Sequence, residues 1–175
     1  ALSRGGLNLR TTFETLKETA VTTSSLFAVL IGAQVFSNFI NLAGLPEALI
    51  QLVTTYDVPA FAVLLMILGI YVILGCVFES LSMLLLTVPI FFPLITSLGY
   101  DPIWFGIVVV VVTEISLITP PVGLNVFILK SVVGDVTTGT IFRGVTPFWI
   151  ADIFRLALIV LLPIIVLYLP TQMGA

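Results

Sequence analysis

The chain has 175 residues, of which 59% are hydrophobic and 9% are charged, and its formal net charge is −3. This composition is typical of an integral membrane protein and leaves no length for a soluble domain, and the negative charge argues against a nucleic-acid partner. Without histidine and with one cysteine, Cys76, the sequence excludes an internal disulfide, a Cys/His metal centre and histidine acid–base chemistry. We therefore expect an all-α integral membrane protein that is not an enzyme and carries no cofactor.

The first 57 residues predict three elements. Residues 1–18 are expected to form a basic surface segment, with Arg4, Arg10 and Lys17. Residues 19–43 are long and apolar enough for a transmembrane helix. Residues 44–57 have helical periodicity over only about 12 residues, which predicts an interfacial arm helix lying along the membrane. The chain begins with alanine and lacks the order of regions typical of a signal peptide, so none is expected.

Residues 58–99 form an apolar stretch whose only charged residue is Glu79. Small and polar residues around Glu79 separate two apolar legs of roughly 16 residues, slightly short of a full span. We predict a re-entrant helical hairpin whose tip, residues 75–82, lies near the middle of the membrane and is buried in protein. Two ordinary short helices joined by a polar turn remain the alternative.

Residues 100–133 predict a discontinuous helix that is broken at residues 116–123. Pro120 and Pro121 donate no backbone hydrogen bond and disfavour the α conformation of the preceding residue. Carbonyl groups before the break and N–H groups after it then lose their helical partners, so one half-helix presents a negative end and the other a positive end. Such ends hold cations and anionic substrate groups in transporters. A proline kink healed by neighbouring helices is the alternative.

The last part of the chain completes the predicted topology. Residues 134–145 form a polar cytoplasmic connector, and residues 146–170 form the last transmembrane helix. If residues 58–99 return to the side they left, the basic residues share the cytoplasmic face, the N-terminus is cytoplasmic and the C-terminus lies outside. These basic residues are Arg4, Arg10, Lys17, Lys130 and Arg143. The aromatic residues Trp104 and Trp149 are placed near the outer and inner interfaces, respectively.

The hairpin tip and the break are predicted to meet and to form an ion site. Sodium favours several oxygen ligands, which unwound carbonyl groups and hydroxyl groups supply without a full charge. The predicted ligands are the backbone oxygens of Gly75, Ser116, Thr119 and Val122, assisted by the hydroxyl groups of Thr119 and Ser80. The residues predicted to face an anionic substrate are Glu79, Pro120, Pro121, Gly123 and Asn125.

Three polar residues near this site each have two interpretations. Glu79 acts either as a counter-charge near the ion or as the cap of the second hairpin leg. Glu114 either takes part in transport or is protonated and packed. Asn125 either reaches a substrate carboxylate or joins the two halves of the broken helix.

The segment Ile118–Asn125, ITPPVGLN, carries a family resemblance. It is preceded by a Gly-Tyr-Asp-Pro start at residues 99–102 and followed by Thr146-Pro147-Phe148. With this setting, residues 20–170 resemble the C-terminal half of the large membrane subunit of tripartite ATP-independent periplasmic (TRAP) transporters. Two positions depart from the usual pattern, because family members often have aspartate in place of Glu79 and glycine in place of Ser116.

The resemblance implies an elevator-type transporter related to the ion-transporter superfamily, with two inverted repeats that each contain a hairpin and a broken helix. It implies sodium-coupled import of an organic acid across the bacterial inner membrane. The expected partners are a small TRAP membrane subunit, a periplasmic substrate-binding protein, the N-terminal half of the large subunit, and the lipid bilayer. The first repeat is absent from this chain, so a second hypothesis is a TRAP-like half that serves as a structural subunit of another membrane complex.

Overall fold

The computed structural model describes residues 9–120, 122–134 and 136–173. These residues form α-helices and no β-strand, which confirms the all-α fold. Arg4 and Pro121 lie outside the described residues. The helices are α1 (Leu9–Leu42), α2 (Leu45–Thr55), α3 (Ala60–Leu74), α4 (Ser80–Ser97), α5 (Pro102–Ser116), α6 (Leu124–Val133), α7 (Thr138–Leu161) and α8 (Ile164–Gln172).

Polar caps determine where two of the central helices begin. The Asp101 carboxylate accepts hydrogen bonds from the backbone nitrogens of Ile103 at 2.8 Å and Trp104 at 2.9 Å. Pro102 occupies the first helical position, where a missing N–H group leaves no bond unmade. Thr137 caps α7 through its side chain in the same way. These local signals place the start of α5 beside the hairpin and the start of α7 after the break.

Helix α5 lies at the centre of the fold and packs against α3, α4, α7 and α8. Its buried residues are Trp104, Phe105, Val108, Val109, Val112, Thr113, Ile115 and Ser116. The indole nitrogen of Trp104 donates a hydrogen bond to the carbonyl oxygen of Ile159 in α7 at 2.9 Å. The break at the end of α5 is therefore anchored to the hydrophobic core.

Helices α3 and α4 form a helix hairpin whose legs are joined by a buried hydrogen bond. The hydroxyl groups of Tyr71 and Thr87 lie 2.6 Å apart, and both side chains are buried. Pro89 and Pro93 lie inside α4 without ending it. A polar bond in an apolar surrounding is strengthened by the low local dielectric, so it fixes the alignment of the two legs.

Within the described residues, three helices are long and apolar enough to cross a membrane: Arg10–Leu42, Ser80–Ser97 and Thr138–Leu161. The N-terminal one differs from the predicted boundary at residue 18, because α1 runs without interruption from Leu9 to Leu42. No proline or glycine stands near that boundary, so nothing in the backbone ends the helix there. The hairpin legs are unequal, since α4 has 18 residues and α3 has 15.

The C-terminal part also differs from the predicted boundaries. Helix α7 begins at Thr138, so most of the predicted connector, residues 134–145, is helical. Pro147 lies inside α7 without ending it. The predicted last helix, residues 146–170, is instead divided between α7 and α8 at Leu162, because Pro163 cannot continue the hydrogen bonding of α7.

Candidate functional site

The broken helix is interrupted between Ser116 and Leu124. The first half is closed by tight turns, in which the backbone nitrogens of Ile118 and Thr119 donate to the carbonyl oxygens three residues earlier, at 3.1 and 3.2 Å. The second half is tied back by the backbone nitrogen of Asn125, which donates to the carbonyl oxygen of Leu117 at 3.1 Å. The two half-helices therefore remain connected across the break by backbone contacts.

Gly123 makes this return possible. Its φ of +53° lies in the left-handed region, which side chains rarely adopt. A Cβ atom at this position would also lie 3.3 Å from the carbonyl carbon of Ile118 and 3.3 Å from the carbonyl oxygen of Thr119. Glycine is thus required both for the turn and for the close approach of the second half-helix to the first.

Gly75 joins the hairpin tip to the break. A Cβ atom on Gly75 would overlap the Cβ and Oγ atoms of Ser116 and would lie 3.3 Å from the Ser116 carbonyl carbon. Both residues are buried. The end of α3 therefore rests directly on the end of α5, so two helix interruptions share one contact.

Several carbonyl groups of the tip and the break have bonding capacity left. Among the described residues, the carbonyl oxygens of Gly75, Thr119 and Val122 accept no hydrogen bond. The Ser116 carbonyl accepts one, from the backbone nitrogen of Thr119, and keeps a second lone pair. Oxygen atoms of this kind are the ligands that a hard cation such as sodium prefers. Four predicted ligand residues thus carry available backbone oxygens.

The Thr119 hydroxyl group is held from two sides. It donates a hydrogen bond to the carbonyl oxygen of Ile115 at 2.7 Å and accepts one from the indole nitrogen of Trp149 at 2.9 Å. Thr119 is buried, with 8% of its surface exposed. A hydroxyl group has one donor and two lone pairs, so one lone pair of Thr119 remains available.

The hydroxyl groups of Ser116 and Thr113 lie buried just before the break, and the sequence indicated only the first of these residues. The Ser116 hydroxyl donates to the carbonyl oxygen of Thr113 at 2.6 Å. The hydroxyl of Thr113 itself is buried and has no hydrogen-bond partner within the described part of the chain. Thr113 looks like one more β-branched residue in an apolar run, so only its three-dimensional surroundings distinguish it.

Glu79 caps α4, which is one of its two predicted roles. Its carboxylate accepts hydrogen bonds from the backbone nitrogens of Leu81 at 3.1 Å and Ser82 at 3.2 Å, and from the Ser82 hydroxyl at 2.8 Å. Glu79 is exposed, and Ser80 beside it is half-buried. The carboxylate is therefore bonded to the first turn of its own helix, and the residue is exposed.

Three other predicted site residues, at and after the break, are exposed. Val122, Pro120 and Asn125 are exposed, and Pro121 lies outside the described residues. The backbone of Asn125 joins the two half-helices, whereas its side-chain amide makes no hydrogen bond within the described residues. The backbone of Asn125 thus joins the two halves of the broken helix, and the contact of its side chain with a substrate stays a prediction. Glu114 is exposed rather than packed.

The two tryptophans both have hydrogen-bond partners inside the helical fold. Trp104 is almost completely buried in the core. Trp149 is half-buried, and its indole nitrogen bonds to Thr119 at the break. The depth of the two tryptophans in the membrane stays a prediction.

Two helix interruptions packed together within an apolar helical bundle are typical of secondary transporters. The sequence profile of the "Tripartite ATP-independent periplasmic transporter, DctM component" matches residues 1–165. The chain therefore belongs to the DctM family, the large-subunit family of the TRAP transporters. With the apolar helices, this membership makes it a multi-pass protein of the bacterial inner membrane.

Its relatives are permeases rather than enzymes, as expected. The sialic acid TRAP transporter large permease protein SiaM of Vibrio cholerae is 34% identical over 94% of this chain and 38% of its own length. The C4-dicarboxylate TRAP transporter large permease protein DctM of Pseudomonas aeruginosa is 33% identical, over 91% of this chain and 37% of its own length. The isethionate TRAP transporter permease protein DctMQ of Oleidesulfovibrio alaskensis is 31% identical, over 69% of this chain and 19% of its own length. The chain thus spans less than two fifths of each of these relatives.

Proposed function

We propose that this chain forms the ion- and substrate-binding half of a sodium-coupled TRAP transporter that imports an organic acid. The observation that carries the proposal is the contact of Gly75 with Ser116, which brings two helix interruptions together. The tip and the break both carry carbonyl oxygens without hydrogen-bond partners within the described residues, those of Gly75 and Thr119 among them. A sodium ion bound there satisfies these oxygens in a surrounding where water does not.

The start of α6 is the proposed position of the substrate carboxylate. Helix N-termini attract anions because their first N–H groups lack partners and the helix dipole is positive there. At α6 the backbone nitrogens of Asn125 and Val126 are already bonded, whereas that of Leu124 has no partner within the described residues, and the preceding Gly123 has no side chain to cap it. The exposed amide of Asn125 adds a hydrogen-bond donor one residue into the helix.

The partners of the complete transporter follow from the family. We propose a small TRAP membrane subunit, a periplasmic substrate-binding protein that delivers the organic acid, and the N-terminal half of a large subunit that closes the site. Copurification from membranes tests this set. Recovery with an unrelated membrane assembly, without any of these components, would instead support a structural subunit.

The ion site is tested by sodium-dependent thermal stabilisation of the purified protein, with choline as the replacement cation. A ligand at about 100 times its dissociation constant stabilises a protein by about 2.7 kcal/mol, or roughly 5–10 °C for a chain of this size. We expect Thr119→Val to reduce this shift. The matched control is Thr96→Val, because the Thr96 hydroxyl bonds only to carbonyl groups of its own helix, α4. Equal melting temperatures of the wild type in sodium and choline would contradict the ion site.

A further inference from the structure

We propose that Trp149 is a positioning residue for the cation site, and this inference rests on the sodium site proposed above. The indole N–H group of Trp149 holds the Thr119 hydroxyl so that its last free lone pair is available to the ion. The α7 helix thereby takes part in ion binding although it contributes no ligand itself.

The first observation is the hydrogen bond between two distant parts of the chain. Trp149 lies near the middle of α7, and its indole nitrogen is 2.9 Å from the Thr119 hydroxyl. Among the described residues this is the only hydrogen bond between α7 and the break, residues 117–123. A single directional contact therefore links the last long helix to the proposed ion site.

The second observation is how the Thr119 oxygen uses its bonding capacity. Its proton goes to the carbonyl oxygen of Ile115, and one lone pair accepts from Trp149. With two of three directions occupied, the third is fixed by the tetrahedral geometry of the hydroxyl group. Removal of the indole N–H leaves a second lone pair unpaired in a buried place and releases one of the two constraints on the oxygen.

The third observation is a cavity beside this bond. A cavity of about 150 Å³ lies between the break and α7. Its lining residues are Ile118, Pro120, Phe142, Val145, Thr146 and Trp149. Because Ile118 and Pro120 of the break border this cavity, the hydrogen bond from Trp149 is the directional link between α7 and the break on this side.

Trp104 provides a matched control. It also lies in an apolar helix, and its indole nitrogen also donates one hydrogen bond of 2.9 Å, but to the Ile159 carbonyl far from the break. Trp149→Phe and Trp104→Phe therefore remove the same chemical group from two places. A purely structural role for both tryptophans predicts lower melting temperatures and an unchanged sodium dependence.

The experiment compares the sodium concentration that gives half of the thermal stabilisation in the wild type and in both variants. We expect this concentration to rise about three- to tenfold in Trp149→Phe, the range set by one hydrogen bond, and to stay unchanged in Trp104→Phe. Equal sodium dependence of Trp149→Phe and the wild type would overturn the proposal. If sodium does not stabilise the wild type, that result would instead contradict the proposed ion site.

A spectroscopic measurement tests the proposal even if Trp149→Phe does not fold. The otherwise unaltered protein, labelled with 5-fluorotryptophan, gives two fluorine NMR signals, which Trp104→Phe assigns. Sodium should shift the Trp149 signal and leave the Trp104 signal in place, and Thr119→Val should abolish the shift. A protein that is stabilised by sodium while its Trp149 signal does not move would refute the positioning role alone.

Discussion

The starts of α4 and α6 are two helix N-termini that flank the same contact, and they differ in what they present. At α4, the Glu79 carboxylate occupies the first N–H groups. At α6, Gly123 precedes the helix and offers no side-chain acceptor. The chain therefore carries its own anion at the start of α4 and has none at the start of α6, where the backbone nitrogens of Asn125 and Val126 are bonded to backbone carbonyl oxygens and only that of Leu124 has no partner within the described residues. Because the Glu79 carboxylate is engaged with α4, we expect the proposed substrate carboxylate to bind at α6 and not at Glu79.

The largest expected effect comes from adding a side chain at Gly75, where the hairpin tip contacts the break. In Gly75→Ala the new methyl group overlaps the Ser116 side chain, so we expect a loss of about 3 kcal/mol in unfolding free energy, at the upper end for an overpacked core. The matched control is Gly69→Ala in α3, since nothing lies within 4 Å of its Cβ position. Thermal denaturation measures both.

A second substitution sharpens this result. Ser116→Gly removes the two side-chain atoms that the Gly75→Ala methyl group would overlap and leaves the carbonyl carbon of residue 116 at 3.3 Å. The double variant should recover much of the lost melting temperature, and the double-mutant cycle then gives the coupling between the two positions. If Gly75→Ala is as mild as Gly69→Ala, the close approach of the tip to the break is refuted.

The next largest expected effect concerns Gly123, at the start of α6. Gly123→Ala places a side chain at a positive φ, which costs about 1–2 kcal/mol, and adds contacts with the preceding turn. Gly44→Ala is the control, because Gly44 is also left-handed, with a φ of +71°, but a Cβ atom there would meet only the Glu47 carboxylate, at 4.0 Å. We expect Gly123→Ala to lower the melting temperature more. Equal losses would mean that the approach of the two half-helices contributes nothing.

The smallest expected effect concerns the capped terminus. Glu79→Ala removes the acceptor at the start of α4 and should lower stability by about 1 kcal/mol, as the loss of a helix cap does. Asp101→Ala removes the corresponding cap of α5 and should act alike. Neither should change the sodium concentration for half-maximal stabilisation. A tenfold change in Glu79→Ala alone would restore its predicted role as a counter-charge.

Local sequence signals explain why the interruptions could be predicted. Pro120 and Gly123 restrict the backbone itself, and Glu79 is the only charge in a long apolar stretch. Such signals act within a few residues, so the sequence carries them directly. The same reasoning failed at the last helix, where Pro147 is tolerated inside α7 and Pro163 is not. The sequence does not show which proline has neighbours that accommodate it.

The contacts of the candidate site were less predictable. The bond between Trp149 and Thr119 joins residues thirty positions apart, and no periodicity indicates which side of α7 faces the break. The clash that excludes a side chain at Gly75 depends on the path of α5 past the tip. Helix positions follow from local backbone preferences, whereas the partner of each polar group depends on how the helices pack.

The seam between Gly75 and Ser116 has a consequence for the route of the ion. A gap that excludes a methyl group has no room for a water molecule. At the proposed ion site, we therefore expect no hydrated cation to pass between the tip of the hairpin and the end of α5. We expect it to approach from the side of the break where Val122 and Asn125 are exposed.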